Sequence, residues 1–343
     1  MATLSEAFAD HHLHSPRILP LDFNSVDTVP ESHRWPISDD LFAADHRLSI
    51  PVIDLQDPNA SQLVVHACET WGAFQLINQG VPTEVVEEVE AEAKRLFSLP
   101  AQQKFKATRQ PGGATGYGVA RISPSFSKYM WHEGFTVMGS PLHHAMQLWP
   151  EPADDYTRFC EIIENYQKKM KMVAEQVTQL IFNSLEIDKE DANWVDSAFA
   201  ALQLNWYPSC PDPTRVMGLA PHTDTSLITL LHQNQTSGLQ IFKEGCGWVS
   251  VPPLKGALVV NVGDLLHVVS NGRFQNVLHR VMVDLSRSQR LSVAYFYGPP
   301  LDFRVRPLVK LSSQVPRYRP VTVEEYAVMK GKSFERAMSL IRI

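Results

Sequence analysis

Cysteine is scarce in this chain: four in 343 residues, none in a CxxC pair. Cys68, Cys160, Cys210 and Cys246 therefore read as reduced thiols of a cytoplasmic protein. Neither a disulfide scaffold nor a cysteine-ligated zinc site is expected. Long apolar runs are missing too. No segment approaches the roughly 18 apolar residues that cross a bilayer, and no basic start precedes an apolar stretch, so no membrane partner is expected. Basic excess is absent: 31 Lys and Arg stand against 37 Asp and Glu, a formal charge of −6. A duplex-binding surface announces itself by the opposite balance, so no nucleic-acid partner is expected.

The familiar phosphate and hydrolase motifs fail as well. Gly331-Lys332-Ser333 ends like a P-loop, but Tyr326 stands where its opening glycine belongs. Gly116-Tyr117-Gly118 lacks the third glycine and the preceding strand of a dinucleotide site. His132-Glu133 has no second histidine at zinc-protease spacing, and no GxSxG elbow exists.

What is present is a globular composition, 44% hydrophobic, in a chain long enough for two domains or one large barrel with helical additions. Residues 1–48 read as an N-terminal arm without periodicity. Residues 49–150 form an N-terminal region with strands near 50–54 and 73–78 and a helix around Leu63–Trp71. A second helix is expected to be capped by Thr83 and to stop before Pro100. Residues 110–150, rich in Gly, Pro and aromatics, read as irregular loops.

Residues 151–197 contain a long bracing helix. Phe159, Ile162, Ile163, Tyr166, Met170, Val173, Val177, Leu180 and Ile181 make one apolar stripe along it, the mark of core packing against a sheet. Residues 198–300 change grammar. Short β-rich runs recur at 201–207, 217–223, 226–232, 238–242, 247–251, 257–262, 264–269, 276–283 and 290–297, separated by turn signals such as Asn271-Gly272. Residues 301–343 form a C-terminal segment. The expected class is a mixed α/β fold with an all-β core, a double-stranded β-helix (jelly roll) braced by the long helix and the N-terminal region.

His222-Thr223-Asp224 is the one His-x-Asp among 13 histidines. Residues i and i+2 of a strand share a face, so both side chains can point into a barrel. His279, 57 residues on, is the candidate third ligand. Two imidazoles and one carboxylate with open positions opposite describe the non-haem Fe(II) oxygenase triad. The competing reading makes His279 a core histidine and Asp224 a turn cap. Arg290-Leu291-Ser292 shifts the balance. Its strand is expected to neighbour that of His279, and a buried arginine requires an anion, which its planar fork binds through two hydrogen bonds. A dicarboxylic co-substrate chelating the metal would use both features, with Asn205 and Tyr207 adding hydrogen bonds.

Asn205-Trp206-Tyr207-Pro208, Cys210-Pro211, His222-Thr223-Asp224, Gly238-Leu239-Gln240, Asn261-Val262-Gly263-Asp264, Ser270-Asn271-Gly272, His279-Arg280-Val281 and Arg290-Leu291-Ser292 occur in that order. With these motifs the sequence resembles the plant 2-oxoglutarate/Fe(II)-dependent dioxygenases of hormone and flavonoid metabolism, over about residues 49–300. The resemblance implies Fe(II) on His222, Asp224 and His279. It also implies 2-oxoglutarate on Arg290 and Ser292, assisted by Tyr207 and Asn205, with O2 as partner and ascorbate as activator. The stretches Gly116–Ile122, Trp131–Thr136, Leu148-Trp149-Pro150, Met217-Gly218-Leu219, Asn234–Ser237 and Ala337–Ile341 are similar to the gibberellin 3-beta-dioxygenase subgroup. Trp206 and Pro221 depart from the pattern, and alternation turns Trp206 away from the site.

That subgroup implies hydroxylation of a gibberellin, a rigid apolar acid. Such a ligand wants an apolar cavity and one cation. Arg121 is the candidate cation, with Phe296, Tyr117 and Phe135 as candidate walls. Gibberellin 2-oxidation, flavonoid oxidation and a non-enzymatic hormone-binding module remain the alternatives.

Overall fold

The protein is described by a computed structural model over residues 21–23, 26–36, 48–149, 154–187, 191–308 and 315–343. Most of the expected N-terminal arm lies outside the described residues. Twelve strands build the core. They are β1 (Val52–Asp54), β2 (Ala73–Ile77), β3 (Gly116–Gly118), β4 (Glu133–Val137), β5 (Phe199–Tyr207), β6 (Leu219–His222), β7 (Ile228–Gln233), β8 (Leu239–Lys243), β9 (Gly247–Ser250), β10 (Leu258–Val262), β11 (His279–Val281) and β12 (Arg290–Gly298). An eight-stranded sheet runs β1-β2-β10-β7-β12-β5-β4-β3, and a four-stranded sheet runs β6-β11-β8-β9. Facing sheets with crossing connections make the expected jelly roll.

Period-two alternation divides the core. On β12, Leu291, Val293, Tyr295 and Tyr297 join the outer cluster under the helices, while Ala294 and Phe296 belong to the inner cluster between the sheets. Strand β5 does the same: Leu202, Leu204 and Trp206 face out, and Tyr207 faces in. Trp206 stacks on Phe97, centroids 6.0 Å apart. The outer face is covered by α1 (Ala60–Thr70), α2 (Thr83–Phe97), α3 (Leu142–Leu148) and α4 (Asp154–Ser184). The apolar stripe of α4 buries Phe159, Ile163, Tyr166, Met170, Val173, Val177 and Ile181. Each large side chain so buried contributes about 1.5–3 kcal/mol.

Three local expectations change. Residues 264–269 form a helix, α5 (Asp264–Val269), not a strand. A six-residue apolar run fits either state, and Asp264 at its first turn favours the helix. The 110–150 segment is not loop alone, since it supplies β3, β4 and α3. Gly134 is there for packing: a Cβ would stand 2.7 Å from Gln203 Nε2 and 2.9 Å from His132 Cε1. Thr83 is the first helical residue of α2 and does not cap it; Pro82 holds the cap position without a side-chain bond. A further helix, α6 (Val323–Ser333), starts on Thr322, whose hydroxyl accepts from the Glu325 N–H at 3.1 Å. Thr322-Val323-Glu324-Glu325 carries the capping-box pattern, a signal present in the sequence.

Candidate active site

His222 ends β6 and His279 opens β11, and the two are register partners of this antiparallel pair. Asp224 follows two residues after His222, and the Asp264 N–H donates to its carbonyl at 2.8 Å. One ligand atom from each of the three lies within 4.8 Å of the others. Both histidine Nε2 atoms stand 3.8 Å from Asp224 Oδ1, too far for a hydrogen bond.

The other ring nitrogens decide the tautomers. His222 Nδ1 faces the Ala220 carbonyl at 2.8 Å and His279 Nδ1 the Val277 carbonyl at 3.2 Å. A nitrogen facing a carbonyl oxygen carries a proton and donates it, so Nε2 is the ring nitrogen that each histidine turns toward Asp224. Burial, then the charge of His279, pushes the His222 imidazole down to about 3. Burial also works against the charged Asp224 carboxylate, but the facing imidazoles and the Thr229 hydroxyl outweigh it and hold its pKa low. Asp224 Oδ2 is buried without a hydrogen-bond partner. Converging lone pairs around an unsatisfied carboxylate fit a cation of the hard to borderline, nitrogen- and oxygen-liking kind.

Arg290 lies at 1% exposure on the inner face of β12, in the other sheet. Its strand pairs with β5 and β7, not with β11 as the spacing had implied. Glycines close the gap between sheets. A Cβ on Gly238, beside β8, would sit 3.0 Å from Arg290 Cδ, and one on Gly218, beside β6, 3.1 Å from Tyr207 Cδ1. Arg290 Nη2 donates to Gln233 Oε1 at 2.9 Å and Nη1 to Ser292 Oγ at 3.3 Å. The guanidinium carbon stands 5.0 Å above the Tyr207 ring. Its Nε is buried and unpartnered, and no acidic side chain pairs with it among the described residues. A guanidinium with neutral partners in a dry site fits a carboxylate ligand.

Asn205 joins this row, its Nδ2 3.5 Å from Ser292 Oγ. His132 Nε2 lies 2.9 Å from Asn205 Oδ1. Burial pushes the His132 imidazole down to about 4, so the ring is neutral and donates to the amide oxygen. Gln233 and His132 were not among the sequence candidates. The signal for Gln233 is the inward alternation Thr229, Leu231, Gln233 on β7; His132 precedes β4 and carried no pattern of its own.

The substrate candidates divide. Phe296 is half-buried on the inner face, in line with Arg290, Ser292 and Ala294. Arg121 is exposed in the loop after β3, and its charge, after burial, helps push the Arg109 guanidinium down to about 9. Arg109 ties that loop to the barrel through the Val119 carbonyl and the Thr136 hydroxyl, both at 3.1 Å. Tyr117 and Phe135 are not wall residues. Both sit in the outer cluster: the Tyr117 hydroxyl donates to Glu133, which pairs with Lys104 at 2.6 Å, and Phe135 packs edge-on against His144 and Phe159. Paired glycines in β3 and β4 concealed which face their neighbours take.

Residues 198–299 match the 2OG-Fe(II) oxygenase superfamily, and residues 50–152 match the family described as non-haem dioxygenase in morphine synthesis N-terminal. Gibberellin 3-beta-dioxygenase 1 of Pisum sativum is 50% identical, over 100% of this chain and 94% of that protein. Gibberellin 3-beta-dioxygenase 1 of Arabidopsis thaliana is 46% identical over 99% and 98%. Among solved structures, JOX2 in complex with 2OG, Fe and JA superposes with a TM-score of 0.77 at 27% identity, covering 89% of this chain and 90% of that one. The rice dioxygenase for auxin oxidation gives 0.71 at 25%, covering 86% and 100%. Two facing sheets, a His–Asp–His cluster between them and full-length relatives agree on one conclusion: the chain belongs to the 2OG-Fe(II) oxygenase superfamily, in the family that includes the curated gibberellin 3-beta-dioxygenases.

Proposed function

We propose that this enzyme hydroxylates a gibberellin at the 3-beta position, using Fe(II), 2-oxoglutarate and O2 and releasing succinate and CO2. The observation that carries the reading is the pairing of the His222–Asp224–His279 cluster, in which Asp224 and His279 are buried, with a buried Arg290 that has only neutral partners. His222, Asp224 and His279 would hold the iron. Arg290 and Ser292 would bind the distal carboxylate of 2-oxoglutarate, with Tyr207 beneath the guanidinium and Asn205 fixing the serine. Bound iron would supply the oxidative chemistry, with one oxygen atom of O2 going to succinate and the other to a hydroxyl group on the substrate carbon.

The chain's own work is positioning. The Nδ1–H bonds to Ala220 and Val277 keep both imidazoles aimed. The inner apolar cluster around Leu231, Ala294 and Phe296 excludes water beside the reacting C–H bond. Arg121 would take the gibberellin carboxylate. The 3-beta assignment rests on the full-length similarity to the curated relatives.

No helix among the described residues is long and apolar enough to cross a membrane. We assign the enzyme to the cytoplasm, where an exposed free thiol such as Cys246 stays reduced. Incubation with Fe(II), 2-oxoglutarate, ascorbate and a panel of gibberellins and flavanones tests the function. The expected product is a 3-beta-hydroxylated gibberellin with equimolar succinate; hydroxylation at carbon 2, or turnover of the flavanone alone, would overturn it.

A further inference from the structure

Thr223 lies between two of the candidate iron ligands, and its hydroxyl accepts a hydrogen bond from Lys330 Nζ, 107 residues later on α6. The same ammonium pairs with Asp264 Oδ2, at the first residue of α5. Asp264 is a hub. Its Oδ1 accepts from Asn276 Nδ2 at 2.7 Å, its Oδ2 also accepts from the Tyr326 hydroxyl at 2.9 Å, and its N–H donates to the Asp224 carbonyl at 2.8 Å. The Asp264 side chain is 1% exposed and that of Lys330 13%. Desolvating such a pair costs several kcal/mol, and it is offset only where geometry and hydrogen bonds are good.

The proposed reaction uses none of these groups, yet they grip the ligand-bearing segment at two adjacent points, the Thr223 side chain and the Asp224 backbone. A helix at the far end of the chain thereby reaches the metal loop. Building on the triad assignment, we propose that Lys330 is a positioning residue, through which the C-terminal helix α6 holds residues 222–224 in metal-binding geometry. The ammonium's repulsion of a bound cation does not explain the arrangement, because Asp264 cancels its charge. Removing the ammonium leaves an unpaired carboxylate, whose field favours a cation. A loss of metal affinity in that variant therefore reports position rather than charge.

The test titrates the full-length apoprotein with Mn(II), a redox-inert probe, following the free-ion EPR signal in wild type, Lys330→Met and Thr223→Val. Outer partners of metal ligands typically set affinity by about 10–100-fold. Lys330→Met is expected to weaken Mn(II) binding within that range, and Thr223→Val about 10-fold, at its lower end. The affinity of the Mn(II)-saturated variants for 2-oxoglutarate stays at the wild-type value, because Arg290 lies in the other sheet. Wild-type Mn(II) affinity in a folded Lys330→Met would overturn the proposal. Should that variant fail to fold, Thr223→Val decides alone, since it keeps the Lys330–Asp264 pair, and unchanged affinity there is equally fatal. A wild-type protein that binds no Mn(II) would instead overturn the triad itself.

Discussion

His222 and His279 stand directly opposite each other in the β6–β11 register, with ring centroids 4.2 Å apart although they are 57 positions apart in the chain. Cross-strand partners at that distance repel if both are charged. Backbone carbonyls take one ring nitrogen of each as donor, and the remaining nitrogens face one carboxylate. The antiparallel pairing itself thus makes the two-imidazole half of the site.

Asp224→Ala removes the one carboxylate of the cluster. Mn(II) affinity is expected to fall by more than about 100-fold, beyond what loss of an outer partner causes, and succinate formation to drop below detection. His222→Ala should behave alike. Full activity in either variant would remove that residue from the triad.

Arg290→Lys exchanges a planar fork for a point charge. The KM for 2-oxoglutarate is expected to rise about 10-fold or more, the worth of one charge-assisted hydrogen bond, with Mn(II) affinity unchanged. Gln233→Leu frees one Nη donor and should raise that KM more modestly. Steady-state succinate assays at saturating gibberellin separate the two.

Arg121→Ala and Tyr117→Phe make opposite claims. The first should raise the gibberellin KM while substrate-independent 2-oxoglutarate decarboxylation stays level. The second strips a buried hydrogen bond from Glu133 and should cost about 1–3 kcal/mol in stability with the gibberellin KM unchanged. A shifted KM in Tyr117→Phe would return that residue to the pocket wall.

His132 predicts a pH dependence. Burial lowers its pKa from 6.5 to about 4 in the folded chain. The unfolded chain takes up the proton first as pH falls through 6.5, so stability is lost between pH 6.5 and 4 and levels off below. At pH 5.5 this one residue accounts for about 1.4 kcal/mol, one pH unit below the unfolded value. Urea midpoints at pH 7.5 and 5.5 should therefore separate less in His132→Gln than in wild type; equal separation would refute the burial argument.

Much of this was readable in advance because it is local. Period-two alternation identifies Arg290, Ser292, Ala294 and Phe296 as one face of a strand, and sends Trp206 to the opposite side from Asn205 and Tyr207. The stripe on α4 follows from the 3.6-residue period in the same way. Where local signals were ambiguous, the reading failed. Residues 264–269 are a short apolar run compatible with strand or helix, and glycines in 116–118 and 134 look like loop while serving close packing.

The residue sequence by itself determined which candidate side chains share a face of their strand or helix, because backbone geometry repeats over two or four residues. Tertiary structure alone decided that Arg290 lies in the other sheet from His222 and His279, that Tyr117 and Phe135 serve the outer core, and that Lys330 reaches Thr223. Those relationships depend on strand order and sheet closure, which are set by the summed burial of the whole chain and by contacts between residues far apart along it.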